Sequence, residues 1–562
     1  MWGALKSPPW LGRIVGVVGV LTTISALVPA VRGRVHVVTD LLPDSFPAAA
    51  TTGTLAIGVI LVLLSRALRR GKHRAWVLAT VLTAVTVVLH VVKGLDVEEA
   101  VVTFALLLLL LSARKEFTAR PDPRSLGRVL LVIVIGPLVA TFLGWAWLWL
   151  DADGEAPGTT TWQRLQQAFV GLVGITGPVH FTSSASQEHV AVALAVLGAC
   201  ILIPVVAVAL SPADGPHRLS PDERTRLHAM LESWGQVDSL SYFATRNDRS
   251  VIFSKSGKAA ITYRVIGTVS LAAGDPTGDP EAWAGAIEAW LAEARHFGWV
   301  PAVLGASEAA ATAYHRAGLD ALEVGDEAIV HVDEFTLEGR SMRGVRQAVS
   351  RCTRAGLSVE CVRVRDLDEP TRALVRKRAD EWREGDVERG FSMALDRFVD
   401  PSDADAVVVL CRDSDGILRG LLSLVPWGPD GLSLDLMRRD REAENGVMEF
   451  MVAALWEACP SLGVRRFSLN FAVFRSVFAR GERLGAGPVL RLWRAVLMGV
   501  SRYWQLESLY RANAKYQPEW TPRFLVFRSP GDLPRVGAAA LRAEAFLVAP
   551  DWVKRLSRSR PS

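Results

Sequence analysis

The sequence predicts two fold classes in series, an α-helical membrane module followed by an α/β region. Three observations lead there. Half of the 562 residues are apolar, and the long runs with few charges are confined to the first 210. Several of those runs approach the ~20 apolar residues that a bilayer span needs. From Ser239 onward, short β-branched runs alternate with stretches of helical spacing, bounded by Gly, Pro, Asp and Ser, which is the pattern of an α/β domain.

Six apolar stretches make up the first module, near 13–31, 48–68, 75–93, 98–113, 128–150 and 189–210. The fourth is short. The first is a poor signal peptide, because further spans follow and no small-residue cleavage site stands out. The loop with Arg66, Arg69, Arg70, Lys72 and Arg74 is basic, as is the one with Arg114, Lys115, Arg120, Arg124 and Arg128. Between them lies an acidic loop with Asp96, Glu98 and Glu99, and another holds Asp151, Asp153 and Glu155. Basic loops stay in the cytoplasm, so six spans place both termini there. Residues 161–180 read either as a re-entrant or interfacial helix or as a packed loop. His90 and Lys93 end the third stretch and are expected to snorkel to the interface.

Pro212 to Pro216 break the last stretch. Ser220-Pro221-Asp222-Glu223 is a capping box with proline at the first helical position. Leu227, Met230, Leu231 and Trp234 follow at helical spacing, for packing on the domain or along a membrane face. Val251–Ser254 and Ala260–Val265 flank Ser256-Gly257, a hairpin signal. Val269–Ala273 is a strand, and Asp279-Pro280-Glu281 opens a helix that closes at Gly298. Ser307 caps a further helix over Glu308–Arg316, and Ala328–Val332 is a strand. The later half repeats this sense: strands at Ala406–Cys411 and Leu418–Val425, the run GLSLDLM, a helix from Asn445 to Ala458, and a strand at Phe467–Phe471.

The five cysteines have no paired spacing and form no cluster with histidine, which argues against zinc and against a disulfide framework. They suit a reducing compartment. The net charge of +5 says little about partners.

Residues 428–440, GPDGLSLDLMRRD, raise a question of geometry. The apolar run is broken by Asp435 and, three residues on, by Arg438. Residues three apart on a strand point to opposite faces. The two share a site only if the strand ends or bulges near Met437, and the Arg438-Arg439-Asp440 run makes an end there plausible.

The motifs YFATRNDRSVIFS, YRVIGTVSLAAGDPTG, VGDEAIVHVDEFTLEGRSMRGVRQAVSR, ERGFSMALDRF, LSLDLMRRD with ENGVMEFM, FSLNFAVF and AKYQPEWTPRFLVF cover nearly all of 238–528. In that order they resemble the phosphatidylglycerol lysyltransferases, the aminoacyl-phosphatidylglycerol synthases of the multiple peptide resistance family. The likeness is to a branch in which some members carry a fused lysyl-tRNA synthetase; the chain reads as a short form without one. The resemblance implies tandem acetyltransferase-like (GNAT) units, with expected divisions at 1–211 for the membrane module, 212–237 for a linker helix, 238–360 and 361–545 for the two units, and 546–562 for a basic tail. It implies transfer of an aminoacyl group, typically lysyl, from aminoacyl-tRNA to phosphatidylglycerol, lowering membrane negative charge and attraction of cationic peptides. The rival readings are transfer of alanyl or ornithyl, another lipid acceptor, or a lipid flippase or transporter with a non-catalytic cytosolic domain. The membrane module reads as a flippase or as an anchor.

Exchange of one ester for another needs no ATP, metal or redox cofactor, so none is expected. It needs positioning, a base for the hydroxyl and a cation for developing charge. The family's Asp-x-x-Arg motif matches Asp435 and Arg438. Arg438 would hold a phosphate, and Asp435 would orient the hydroxyl or the aminoacyl ammonium; the alternative is an internal ion pair at a strand end. Lys515 and Arg523, interleaved with Tyr516, Trp520 and Phe524, suit phosphate binding and stacking on the tRNA end, or else a core of aromatics with solvated charges. Asp326 and Glu327 either counter substrate ammonium groups or cap a turn. Asn470 is a candidate for a hydrogen bond to substrate. Asp275 reads as a turn former. Ser392 lacks the G-x-S-x-G setting and a partner histidine, which argues against an acyl-enzyme. Lys554, Arg555, Arg558 and Arg560 read as a solvated tail or as contacts to tRNA or headgroups.

Overall fold

A computed structural model describes residues 7–27, 45–69, 71–94, 97–117, 125–150, 156, 158–172, 175, 177–209, 218–383, 390–473 and 512–547. The chain divides into two compact units near residue 214. The tail 546–562 falls almost wholly outside the described residues.

All six apolar stretches form helices: α1 (Pro8–Leu27), α2 (Ser45–Leu68), α3 (His73–Gly94), α4 (Val97–Ser112), α5 (Ser125–Leu150) and, after a short α6 (Thr161–Gly171), α7 (Ser184–Ala209). Within 161–180, residues 161–171 are helical. The cap of α6 is a reciprocal box between Thr160 and Gln163, which satisfies two of the orphan amides at a helix start. Among the described residues no helix is long and apolar enough to cross a membrane. The described side chains cover only part of each long helix, residues 8–24 of α1 and 134–150 of α5 for instance, while the backbones run 20 and 26 residues.

Small residues set the α1–α2 crossing. A Cβ on Gly19 would lie 2.9 Å from the carbonyl of Gly58, and one on Gly58 would lie 2.5 Å from Thr23 Oγ1. Backbones approach this closely only where side chains are small. The Trp76 indole donates to the Leu110 carbonyl at 2.7 Å, tying α3 to α4.

The second unit opens with α8 (Pro221–Trp234), whose start is the expected box: the Ser220 hydroxyl accepts from the Glu223 amide, and the Glu223 carboxylate accepts from the Ser220 amide at 2.8 Å. Then follow β1 (Ser250–Phe253), β2 (Ala259–Ile266), β3 (Val269–Ala273), β4 (Thr277–Gly278), α9 (Trp283–Phe297), β5 (Val300–Ala306), α10 (Glu308–Arg316), β6 (Asp320–His331), α11 (Arg343–Arg354), β7 (Ser358–Arg363), α12 (Glu369–Glu381), β8 (Val407–Arg412), β9 (Leu418–Pro426), β10 (Gly431–Arg439), α13 (Val447–Leu462), β11 (Arg466–Val473), β12 (Glu519–Phe527) and α14 (Leu533–Ala543).

Among the described residues the strands form one sheet in the order β1-β2-β3-β5-β12-β6-β11-β10-β9-β8-β7, with β4 paired to β2. Two neighbouring pairs are parallel, β3 with β5 and β10 with β11. Each is joined by a crossover helix, α9 or α13, as a parallel pair requires. The topology of the first half therefore recurs in the second. β12 comes late in the chain yet pairs antiparallel with both β5 and β6. One face of the second half packs Val407, Val409, Leu422, Leu424 and Leu434 against Val345 of α11 and Met451 and Leu455 of α13. The other face packs Val408, Leu410 and Leu421 against Val375 and Ala379 of α12.

Candidate active site

The candidate site lies where β10 and β11 part. They pair only at Gly431–Arg466, Leu432–Phe467 and Ser433–Ser468, yet β10 runs on to Arg439 and β11 to Val473. Both strands are irregular just past the last pair. β10 bulges between Leu434 and Leu436 against β9, and β11 shifts register between Ser468 and Phe471 against β6. Bulges bend a strand and re-aim its side chains, so a fork opens in the sheet at this point.

Asp435 is the extra residue of the β10 bulge. After it, Leu436 lies opposite Ser423 and Arg438 opposite Leu421. Directly paired residues share a face, so Arg438 lies on the Leu421 face. Asp435 reaches that same face, because its Oδ2 accepts from Ser423 Oγ at 3.3 Å and its Oδ1 from the Leu395 amide at 2.7 Å. The irregularity that the pair requires thus exists, two residues before Met437. The Arg438 guanidinium donates to the Ala379 carbonyl at the end of α12.

Asp435 is partly exposed, but protein surrounds it. Loss of solvation pushes its pKa up to about 7, and the amide of Leu395 and hydroxyl of Ser423 offset only part of that. A carboxyl poised near 7 can exchange a proton at neutral pH.

Asn470 stands at the apex of the fork in a left-handed conformation, φ +67°, which asparagine tolerates better than most side chains. Its Nδ2 donates to the Leu434 carbonyl at 2.6 Å, next to Asp435. Its Oδ1 is buried and has no partner among the described residues, and the same holds for Ser433 Oγ. Two buried polar oxygens without partners at one apex are unusual and suit a polar ligand.

The other candidates lie elsewhere. Lys515 Nζ pairs with Glu449 Oε1 at 2.7 Å, at the first turn of α13, and holds that carboxyl below its usual range. Asp326 and Glu327 are neighbours on β6, so they point to opposite faces. Glu327, 1 % exposed, accepts from Ser239, Ser468 and Arg523. Arg523, 3 % exposed, also meets Asp238 Oδ1 at 2.7 Å and the Gly305 carbonyl at 3.1 Å. Asp275 joins this buried group: its backbone amide donates to Asp238, and its carboxylate accepts from the amide and hydroxyl of Ser307. Burial, then the charge of Asp238, push Asp275 up to about 7. Its local pattern is that of a turn former and nothing more, since the partners that bury it come from residues 238, 307 and 523.

Ser392 lies on a loop, residues 390–396, whose role no local pattern reveals. Its hydroxyl donates to Glu544 at 2.6 Å, and the same carboxylate accepts from the amides of Phe391 and Ser392. Arg246 donates to the carbonyls of Gly390 and Ala394. This loop delivers the Leu395 amide to Asp435. Among the described residues no group of His, Cys, Asp and Glu could hold a metal ion.

The family described as "Phosphatidylglycerol lysyltransferase, C-terminal" matches residues 228–527. The chain belongs to this family. Residues 5–210 match the "Transmembrane region of lysyl-tRNA synthetase". Similar curated proteins include the lysylphosphatidylglycerol biosynthesis bifunctional protein LysX of Rhodococcus jostii, 42% identical over 98% of this chain and 50% of the relative. LysX of Mycolicibacterium gilvum is likewise 42% identical, over 97% of this chain and 50% of its own length. The chain thus spans about half the length of these relatives. Among solved structures, L-PGS from Bacillus licheniformis aligns with a TM-score of 0.51 at 23% identity, covering 59% of this chain and 97% of the other. The fold of this family member is a helical module that matches a transmembrane region, followed by an α/β unit in which one crossover topology occurs twice.

Proposed function

We propose that the chain transfers a lysyl group from lysyl-tRNA to phosphatidylglycerol at the cytoplasmic membrane face, with Asp435 and Arg438 at the reacting centre. The observation that carries the proposal is the fork: a partly exposed carboxyl held near neutrality on the same face as a guanidinium. Family membership and the names of the relatives support the choice of substrates.

In this reading the lipid's primary hydroxyl attacks the carbonyl carbon of the aminoacyl ester. Asp435 takes the hydroxyl proton as the new carbon–oxygen bond forms. The ester bond to the ribose breaks, and the ribose oxygen leaves with a proton returned from the same carboxyl. Arg438 supplies positive charge to the lipid phosphate, and Asn470 Oδ1 accepts from the incoming polar group. Arg523 and Glu327 support the site by holding β6, β11 and β12 together, Lys515 contributes charge near the RNA end, and Asp326 is a further contact for substrate ammonium. The basic loops around Arg66 and Arg114 favour a cytoplasmic position for both termini and the catalytic region. Adding a lysyl group lowers the negative charge of the membrane surface and its attraction for cationic peptides.

Thin-layer analysis of lipids from cells expressing the chain tests this directly. A new ninhydrin-positive phospholipid that releases lysine on hydrolysis is the expected result. Alanine or ornithine in its place corrects the donor, and absence of any such lipid beside an active control overturns the proposal.

A further inference from the structure

The loop that brings the Leu395 amide to Asp435 is gripped by buried charged side chains on both its donors and its acceptors. Gly390 turns it at φ +105°, where an added Cβ would lie 2.7 Å from that of Ala394. Glu544, at the end of α14, takes the donors: Oε2 accepts from the Phe391 amide at 2.7 Å, and Oε1 accepts from the Ser392 amide at 3.0 Å. Two arginines take the acceptors. Arg246 donates to the Gly390 carbonyl at 2.9 Å and to that of Ala394, and Arg249 donates to the Phe391 carbonyl. The Leu395 amide is left for Asp435.

Arg249 is fully buried, and its Nε has no partner among the described residues. Its guanidinium lies over the Phe391 ring, 4.5 Å from the centroid, and donates to Thr262 Oγ1 at 3.2 Å. Burial, then the charge of Arg246, push its pKa down to about 9. A buried cation held by a hydroxyl and a carbonyl costs stability that an apolar side chain would not. What the charge provides is direction: it holds one carbonyl, and with it the turn of the loop.

Three charged groups face Asp435. Arg438 shares its face of β10, Arg246 comes from the segment before β1, and Asp403 from the segment before β8. Asp403 raises the pKa of Asp435 and Arg246 lowers it, but the Leu395 amide lowers it more than Arg246 does. That amide is therefore the main influence favouring the ionised carboxyl.

We infer that Glu544 and Arg249 are positioning residues for the transfer: by fixing loop 390–395 they keep the Leu395 amide on Asp435 and set the pH at which that carboxyl becomes a base. The inference rests on the reading of Asp435 as the proton acceptor. Both residues act on it through the loop.

The test uses the full chain in detergent micelles with phosphatidylglycerol and lysyl-tRNA, and follows the initial rate of lysyl-lipid formation from about pH 5 to 9. In Glu544→Gln a single carbonyl oxygen stands where two carboxylate oxygens each met a different amide, so one amide loses its acceptor. Arg249→Met removes the hold on Phe391 and leaves an apolar side chain against its ring. Two or three amides lower a carboxyl by about two units, so withdrawal of one raises Asp435 by about 0.7–1 unit. The ascending limb of the rate profile moves up by that amount. The rate near pH 6 falls about fivefold to tenfold, while that near pH 9 is kept. A merely structural loss lowers the rate by one factor at every pH.

A second measurement needs no turnover. The difference in melting temperature between each protein and its Asp435→Asn counterpart widens with pH until Asp435 ionises in the folded state. Any general loss from the loop substitution is common to both members of a pair. In Glu544→Gln and Arg249→Met the difference goes on widening for about 0.7–1 pH unit more. Should Glu544→Gln fail to fold, Arg249→Met decides alone. A limb and a widening range that stay in place, with lysyl-lipid still made, overturn the positioning role and leave the proposed function standing. A shifted range in a chain that makes no aminoacyl lipid supports the hold on Asp435 and overturns the proposed function. A rate lowered equally at every pH, with the range unmoved, makes the two residues structural and overturns the inference.

Discussion

The backbone amide of Leu395 donates to Asp435 Oδ1 at 2.7 Å, across forty residues of sequence. That bond fixes the carboxyl at the fork and leaves Oδ2 toward Ser423. The loop bearing Leu395 is itself held by Arg246 and Glu544, so the position of the carboxyl depends on three separate parts of the chain.

Asp435→Asn keeps the acceptor for Leu395 and removes the proton exchange. Lysyl-lipid formation by the full chain falls by about 10² or more. For the unsubstituted chain, the rate rises with pH through about 7 as the carboxyl ionises. A rate profile in which the asparagine variant keeps full activity, or the same ascending limb, would refute the assignment.

Stability moves the other way. Because the folded-state pKa of Asp435 lies above its ordinary value of 3.8, the native chain holds a proton that the unfolded chain releases between about pH 4 and 7. Native stability therefore declines as pH rises across that window. Asparagine removes the decline, so Asp435→Asn is more stable than the unsubstituted chain at pH 8 by about 2 kcal/mol, half the full linkage value because the group is partly exposed. Melting curves at pH 5 and pH 8 show a gap between the two proteins that opens with pH.

Asn470 separates backbone strain from hydrogen bonding. Its φ of +67° costs a side chain such as alanine about 1–2 kcal/mol, whereas glycine adopts it freely. Asn470→Ala loses both thermal stability and activity. Asn470→Gly keeps most of the stability and still loses activity, because the bridge to Leu434 is gone. Equal losses of stability in the two variants would mean that the conformation is not what asparagine serves.

Arg523 is the cation set among Asp238, Asp275 and Glu327. Arg523→Met leaves those carboxyls buried without it, a loss of about 3–5 kcal/mol. Chemical denaturation of the full chain measures it. A loss under about 1 kcal/mol would show that the network is solvated.

At the α1–α2 crossing, Gly58→Leu forces the helices apart, since a Cβ there already meets Thr23 at 2.5 Å. The expected result is a lower melting temperature in detergent. Gly344→Ala on α11, where nothing lies within 4 Å, is neutral or stabilising by about 0.5–1 kcal/mol. The contrast controls for the effect of adding a side chain.

Much of this was legible in local patterns. Ser220 and Glu223 announce their helix because a capping box is complete within four residues. The six apolar stretches coincide with helices because apolar runs of that length have few other fates. The hairpin at Ser256-Gly257 is equally local, with Gly257 at φ +71°. The candidate residues were harder. Asp435 and Arg438 were recognisable as a pair, but their shared face depends on a bulge that β9 defines. Asp326 and Glu327 read as one acidic pair, yet a single strand turns them to opposite faces. Glu544, Leu395 and Asp238 carried no local signal, because each acts through a partner 37 to 153 residues away.

By itself the sequence passed over α11, α12, α14, β7 and β12, and it marked the six apolar helices, the capped starts of α8 and α10 and the strands β1, β2, β3, β8 and β9. Those follow from hydrophobic period, capping chemistry and motif order, all of which are short-range. Only the tertiary structure decided that β12 enters the sheet between β5 and β6, that β10 and β11 part after Ser433 and Ser468, and that Asp435 and Arg438 lie on one face. Strand order, bulges and burial arise from pairing between distant segments, and the desolvation that moves a carboxyl to neutrality exists only once those segments surround it.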